Sequence, residues 1–226
     1  MKILVIAAHP DDEVLGCGGT IRRLANEGHA VHISILGEGI TSRYSQPDEA
    51  DQILIQQLHA RSQTVADLLG ATELSMFSLP DNRFDTVALL DIAKIIEGLI
   101  DKVQPSVVYT QHGGDLNVDH VATFRATLTA TRPTPSCPVK AVYSYQVASS
   151  SEWSFQQFAP VFRPSVFMDI SATLETKVEA MQQYESEARA FPHPRSPEAL
   201  RAAAQHYGSM VGIAAAEAFQ CVRDIR

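Results

Sequence analysis

The sequence predicts an α/β fold, a Rossmann-like three-layer αβα arrangement with a mostly parallel sheet. Three observations carry this. Short β-branched apolar runs alternate with longer stretches of helical spacing. Glycines and prolines mark the boundaries between them. The connections are short, so successive strands run parallel and the helices cover both faces. The 226 residues suit one domain, with residues 1–132 as the Rossmann-like core and residues 133–226 completing it.

Ile3-Leu4-Val5-Ile6-Ala7 is short, apolar and ends abruptly in charge, as a buried central strand does. Val14 to Leu24 reads as the first helix, packed closely through Gly16, Gly18 and Gly19 and ended by Gly28. Ala30 to Leu36 is the second strand, followed by a polar loop. A helix from about Asp48 to Leu69 closes on Gly70, and Glu73 to Phe77 is a third strand. Val87 to Val103 has helical spacing through Leu90, Ile92, Ile95, Ile96, Leu99 and Ile100, and Pro105 stops it. Ser106 to Thr110 is a fourth strand, and a helix runs from about His120 to Thr131. Pro133, Pro135 and Pro138 make the clearest break in the chain. Beyond them lie strands near 139–145 and 165–169 and helices near 172–184 and 197–210.

A net charge of -8 argues against a nucleic-acid or anionic-membrane partner. No stretch approaches the length of a membrane span. Cys17, Cys137 and Cys221 are odd in number and form no CxxC pair, so reduced thiols in a cytoplasmic protein are expected. The glycines after the first strand lack the GxGxxG register, so a dinucleotide site is a weak reading.

The chemistry gathers in Ala8-His9-Pro10-Asp11-Asp12-Glu13, at the carboxyl end of the first strand. Ligands of open α/β sheets bind at that edge. An imidazole and a carboxylate are ordinary zinc ligands, and a second carboxylate beside the metal can take a proton from water. His9 and Asp12 suit the first role and Asp11 the second. Helix capping by Asp11 or Asp12, with Glu13 opposing the helix dipole, is the equal alternative at this point. The loop after the fourth strand adds His112, Gly113, Gly114, Asp115, Asn117, Asp119 and His120. Were the first and fourth strands neighbours, His120 could face His9 and Asp12. Two histidines, one aspartate and a water would then make an open tetrahedral site.

AHPDDE at 8–13, GDLNVDH at 114–120, HPRS at 193–196 and AEAF at 216–219 together resemble the LmbE-like, or PIG-L, deacetylases, along nearly the whole chain. The resemblance implies a metal-dependent, usually zinc, Rossmann-like N-deacetylase acting on N-acetylglucosamine units of a small amino-sugar conjugate. It implies His9, Asp12 and His120 as ligands and Asp11 as general base. Several members carry a histidine three residues before the last ligand, where it helps hold the oxyanion. Asn117 stands there in this chain. An amide can donate to an oxyanion but cannot act as a general acid. His193 is the candidate for that proton. Some members take such a histidine from a neighbouring subunit, which would make the working form a homo-oligomer.

The mechanism expected is metal-assisted amide hydrolysis giving acetate and a free amine. Asp81, Asn82 and His112 are candidate substrate binders, and Arg61 could meet an anionic group on the aglycone. Two other classes remain open: an amidase cleaving a larger amide or thiol conjugate, and a non-catalytic small-molecule binding domain.

Overall fold

The computed structural model describes residues 1–44 and 49–226. Strands β1 (Lys2–Ala7), β2 (Ala30–Gly37), β3 (Glu73–Leu79), β4 (Val107–Gln111), β5 (Ala141–Tyr145), β6 (Val166–Asp169) and β7 (Ala216–Asp224) form one sheet. The helices are α1 (Asp12–Asn26), α2 (Gln52–Leu69), α3 (Leu89–Val103), α4 (Val118–Ala130), α5 (Leu174–Gln183) and α6 (Pro197–Val211). Asp48, where the sequence places the start of the second helix, lies outside the described residues.

The strand order is β3-β2-β1-β4-β5-β7-β6. The chain winds outward from β1 through β2 to β3, then returns to lay β4 on the other side of β1. That reversal opens a crevice at the carboxyl ends of β1 and β4, the usual ligand position in such sheets. Ile3 pairs with Val107 and Val5 with Tyr109, so both strands end at the same edge.

Side chains alternate across β1. Ile3, Val5 and Ala7 join a core layer with Val14, Cys17 and Ile21 of α1 and apolar residues of α2, α5 and α6. Leu4 and Ile6 join the opposite layer with Ile92, Ile96 and Leu99 of α3 and Ala126 of α4. A run buried on both faces must be continuously apolar, which is why β1 is legible as central.

β7 is the strand the sequence reading left out. It runs antiparallel between β5 and β6 and makes the sheet mixed. Its Glu217 is buried and accepts from the backbone N–H of Gly19 (3.0 Å) and Thr20 (2.7 Å) in α1. Lys177 Nζ lies 2.6 Å from Glu217 Oε1 and donates to the Leu15 carbonyl at 2.8 Å. Among the described residues, no helix is long and apolar enough to cross a membrane.

Candidate metal centre and active-site cleft

A cavity of about 520 Å³ opens at the β1/β4 crevice. His9, Asp11, Asp12 and His120 line it together with Asp81, Asn82, Asn117 and Arg195.

β1 delivers His9 into the crevice, and α1 begins at Asp12. Asp11 bridges them at φ 104°, left-handed backbone that Asp tolerates better than most residues. Its carboxylate makes no cap bond to α1. It receives Arg195 Nη1 at 2.6 Å instead. The Asp12 carboxylate accepts the His9 backbone N–H at 2.8 Å and Gln111 Nε2 at 3.0 Å. Glu13 accepts the Asp11 backbone N–H at 3.1 Å and the Tyr184 hydroxyl at 2.6 Å. Three consecutive acids therefore have three separate sets of partners, and the Asp11 and Asp12 side chains do not serve as helix caps.

His120 sits in the first turn of α4. Its Nε2 lies 3.3 Å from Asp12 Oδ2, and His9 Nδ1 lies 3.5 Å from the same oxygen. His9, Asp12 and His120 each offer a ligand atom within 4.8 Å of the others. Both histidines carry a carboxylate at the remaining ring nitrogen: Asp119 Oδ2 is 2.8 Å from His9 Nε2, and Asp115 Oδ1 is 3.2 Å from His120 Nδ1. Such outer carboxylates set the tautomer and aim the free lone pair at a metal. Asp119 is fixed by the Phe84 N–H at 2.8 Å, and Asp115 by the hydroxyls of Ser150 and Ser151. Two imidazoles, one carboxylate and an opening to a cleft fit a divalent ion with room for water. His9, Asp81 and Asp119 also cluster closely enough, but through the Nε2 that Asp119 already engages.

The charges suit this division of labour. Burial works against the Asp12 charge, but His120 and His9 outweigh it and hold its carboxyl well below the usual range. Burial lifts Asp11 well above that range, against the pull of Arg195. Burial opposes a charged His120, yet Asp12 and Asp115 lift it to about 9.

On the adjoining wall, Asp81 Oδ2 accepts the Ser42 N–H (3.0 Å) and hydroxyl (2.6 Å). Asn82 donates to Ser42 Oγ at 3.1 Å and accepts Asn117 Nδ2 at 2.9 Å. Asn117 caps α4 by accepting the Asp119 N–H at 2.8 Å. Leu116, Val118 and Trp153 supply an apolar side to the same cleft.

Three predicted residues stand elsewhere. His112 Nε2 donates to the Pro160 carbonyl at 2.6 Å, and its ring packs edge-on to Phe162. Arg61 is exposed and pairs with Glu185 at 2.9 Å in a separate hollow. His193 lies behind the cleft wall, its ring edge-on to Trp153 and its Nδ1 accepting the Arg195 N–H at 3.1 Å. Arg195, Glu187, Asp115, Asp119 and Gln111 complete the site; Asp115, Asp119 and Arg195 fall within the GDLNVDH and HPRS motifs but carry no role assigned from sequence, and Glu187 and Gln111 have no local signal.

A family model for PIG-L, described as GlcNAc-PI de-N-acetylase, matches residues 4–131, which include both halves of the crevice. The chain belongs to the PIG-L family. The diacetylchitobiose deacetylase of Thermococcus kodakarensis is 25% identical over 239 residues, covering 99% of this chain and 84% of that protein. The N,N'-diacetylchitobiose deacetylase structure from Pyrococcus horikoshii superposes with a TM-score of 0.78 at 20% identity, covering 98% of this chain and 84% of that one. The 4-carboxy-2-hydroxymuconate hydratase from Pseudomonas putida KT2440 superposes with a TM-score of 0.76 at 21% identity, covering 98% and 95%. Both structures show the fold alone, and a hydratase on it shows that the fold does not select the reaction. PIG-L membership, with named deacetylases among the relatives, makes the chain an amide-hydrolysing enzyme.

Proposed function

We propose that this protein is a zinc-dependent N-deacetylase that removes the acetyl group from an N-acetylglucosamine-type compound, giving acetate and a free amine. The observation that carries the reading is the buried His9, Asp12 and His120 set, with Asp11 beside it in one cleft. His9 Nδ1, Asp12 and His120 Nε2 would hold the ion. Bound there, zinc would supply Lewis-acid polarisation of water and of the amide carbonyl.

The remaining roles belong to the chain. Asp11, made more basic by burial, accepts a proton from the attacking water and returns it to the leaving nitrogen. Asn117 has one Nδ2 hydrogen on Asn82 and a second to give the acetyl oxygen. Asp81 and Asn82, held rigid by Ser42, bind sugar hydroxyls. The carboxylate accepts and the amide does both, a common pairing for a diol. His193, its ring edge-on to Trp153 and its Nδ1 taken by the Arg195 N–H, is not among the residues that line the cleft, so the proton for the leaving amine is assigned to Asp11 and not to His193. The three cysteines are free, which supports a reducing cytoplasmic setting.

The test is mass spectrometry of zinc-loaded protein with a panel of N-acetylated amino-sugar conjugates, alongside assays for acetate and primary amine. Stoichiometric acetate and amine from one conjugate is the expected result. Release of a larger acid would make the protein an amidase of another acyl group. Binding without any product would make it a ligand-binding domain.

A further inference from the structure

We propose that Arg195 is a catalytic residue: its guanidinium donates a hydrogen bond to the acetyl oxygen as that oxygen becomes an oxyanion. The proposal rests on the deacetylase reading and deepens it.

The guanidinium is held from three sides. Nε donates to Ser149 Oγ at 2.8 Å, and Nη1 serves both Asp11 Oδ2 at 2.6 Å and Glu187 Oε2 at 3.1 Å. Glu187 is itself gripped by Arg43. The backbone is fixed too: the Arg195 N–H donates to His193 Nδ1, and Ser196, the next residue, caps α6 by accepting the Ala199 N–H at 3.1 Å. An arginine whose task is only to pair a carboxylate commonly lays its fork across both oxygens. Here one amino group takes two carboxylates, and Nη2 has no partner among the described residues. A donor fixed in advance, with an unused N–H, is what oxyanion stabilisation requires.

Position and charge agree. Arg195 touches the carboxylate that takes the water's proton, so it stands beside the reacting carbon and not out at the aglycone. Asp11, Asp12, Asp81 and Glu187 also line the cleft. Among the described lining residues, Arg195 is the one Lys or Arg side chain, so it is the one permanent cation available to negative charge that forms there. Asn117 offers only a neutral amide hydrogen.

In the step, the water oxygen bonds to the acetyl carbon while Asp11 takes the water proton. The C=O π pair moves onto the acetyl oxygen, where Arg195 donates without giving up its proton. Collapse restores C=O and breaks C–N, and the nitrogen takes the proton Asp11 holds. The products are acetic acid and the amine, and the acid's remaining proton passes to the amine or to solvent, leaving acetate.

The test compares wild type, Arg195→Lys and Arg195→Ala, each loaded with zinc, by zinc content, thermal melting, kcat and KM. Arg195→Ala is also assayed with added ethylguanidinium. We expect zinc to be retained, KM to move less than about threefold, and kcat to fall by about 10²–10³ in both variants. Ethylguanidinium should restore at least tenfold of the alanine loss, saturably, which a purely structural role would not allow. Full kcat in Arg195→Lys would overturn the proposal, because a single charge beside Asp11 would then suffice. A raised KM at unchanged kcat would overturn it by placing Arg195 on the bound substrate alone. Should Arg195→Ala not fold, the lysine variant decides by the same readings. Wild-type protein that releases no acetate would fail the deacetylase reading itself, and this proposal with it.

Discussion

Asp119 Oδ2 lies 2.8 Å from His9 Nε2, while His9 Nδ1 faces Asp12. The ring is thus held from both ends, which fixes its orientation; burial opposes its charge, but Asp119 and Asp12 outweigh it and hold its pKa well above the usual value, so an ion must displace a proton to bind at Nδ1. Asp119→Asn keeps an oxygen for the Phe84 N–H but removes the negative charge from His9. Zinc affinity should fall ~10- to 100-fold, the usual cost of losing such an outer partner. Competition against a chromophoric chelator measures it. Unchanged affinity would remove Asp119 from the site.

Asp11 and Asp12 are neighbours with opposite expected phenotypes. Asp11→Asn keeps the left-handed backbone, which asparagine also tolerates. It should retain zinc and lose ~10²- to 10⁴-fold in kcat, as loss of a general base does. Asp12→Ala should lose zinc first, with partial rescue by excess metal. Metal content plotted against turnover separates the two, and the reverse pattern would exchange the roles.

The parts of the site that were legible from sequence are those set by local pattern. β1 is apolar on both faces and stops at His9, so the sheet edge and the acids behind it could be placed together. Strand-helix alternation gives the parallel sheet, but the return of β4 to the side of β1 stood only as a condition for the site, and the structure supplies it. What escaped depends on partners far along the chain. Arg195 acquires meaning from Asp11, 184 residues away. β7 begins Ala-Glu-Ala, a poor strand signal, and its buried Glu217 is intelligible only with Lys177, 40 residues distant, and the Gly19 and Thr20 amides of α1. His112 was attractive by proximity to His120. However, Gln111, the residue before it, turns its side chain to Asp12, and His112 points away to Pro160.

Zinc binding should strengthen with pH. In the metal-free protein His120 is held protonated up to about 9 by Asp12 and Asp115, against the effect of burial. Its folded value exceeds the unfolded one, so its contribution to stability is full below ~6.5 and is lost as pH rises through about 9. A metal must displace that proton. The gain in melting temperature on adding zinc should therefore grow between pH 6.5 and 9, and calorimetry in buffers of different ionisation enthalpy should detect proton release. A zinc-induced shift that shrinks over this window would contradict the assignment of His120 as ligand.

Two glycines, each inside a helix, should answer the same substitution with opposite signs. Gly98 lies exposed in α3, and a Cβ there meets nothing within 4 Å. Gly98→Ala should stabilise by ~0.5–1 kcal/mol, because alanine gives up less backbone freedom on folding. In α1 the situation is reversed. A Cβ on Gly16 would stand 2.1 Å from Tyr145 Cδ2. Tyr145 cannot swing aside: it is fully buried, and its hydroxyl donates to the Ile6 carbonyl at 2.6 Å. Gly16→Ala must therefore push α1 off the sheet, costing ~1–3 kcal/mol as overpacked cores do. Because α1 carries Asp12 in its first turn, the same displacement should weaken zinc binding, whereas Gly98→Ala should leave it unchanged. Thermal melting with zinc titration of both variants reads the two effects separately. If Gly16→Ala melts and binds zinc as wild type does, the close approach of α1 to β5 does not hold the site in place.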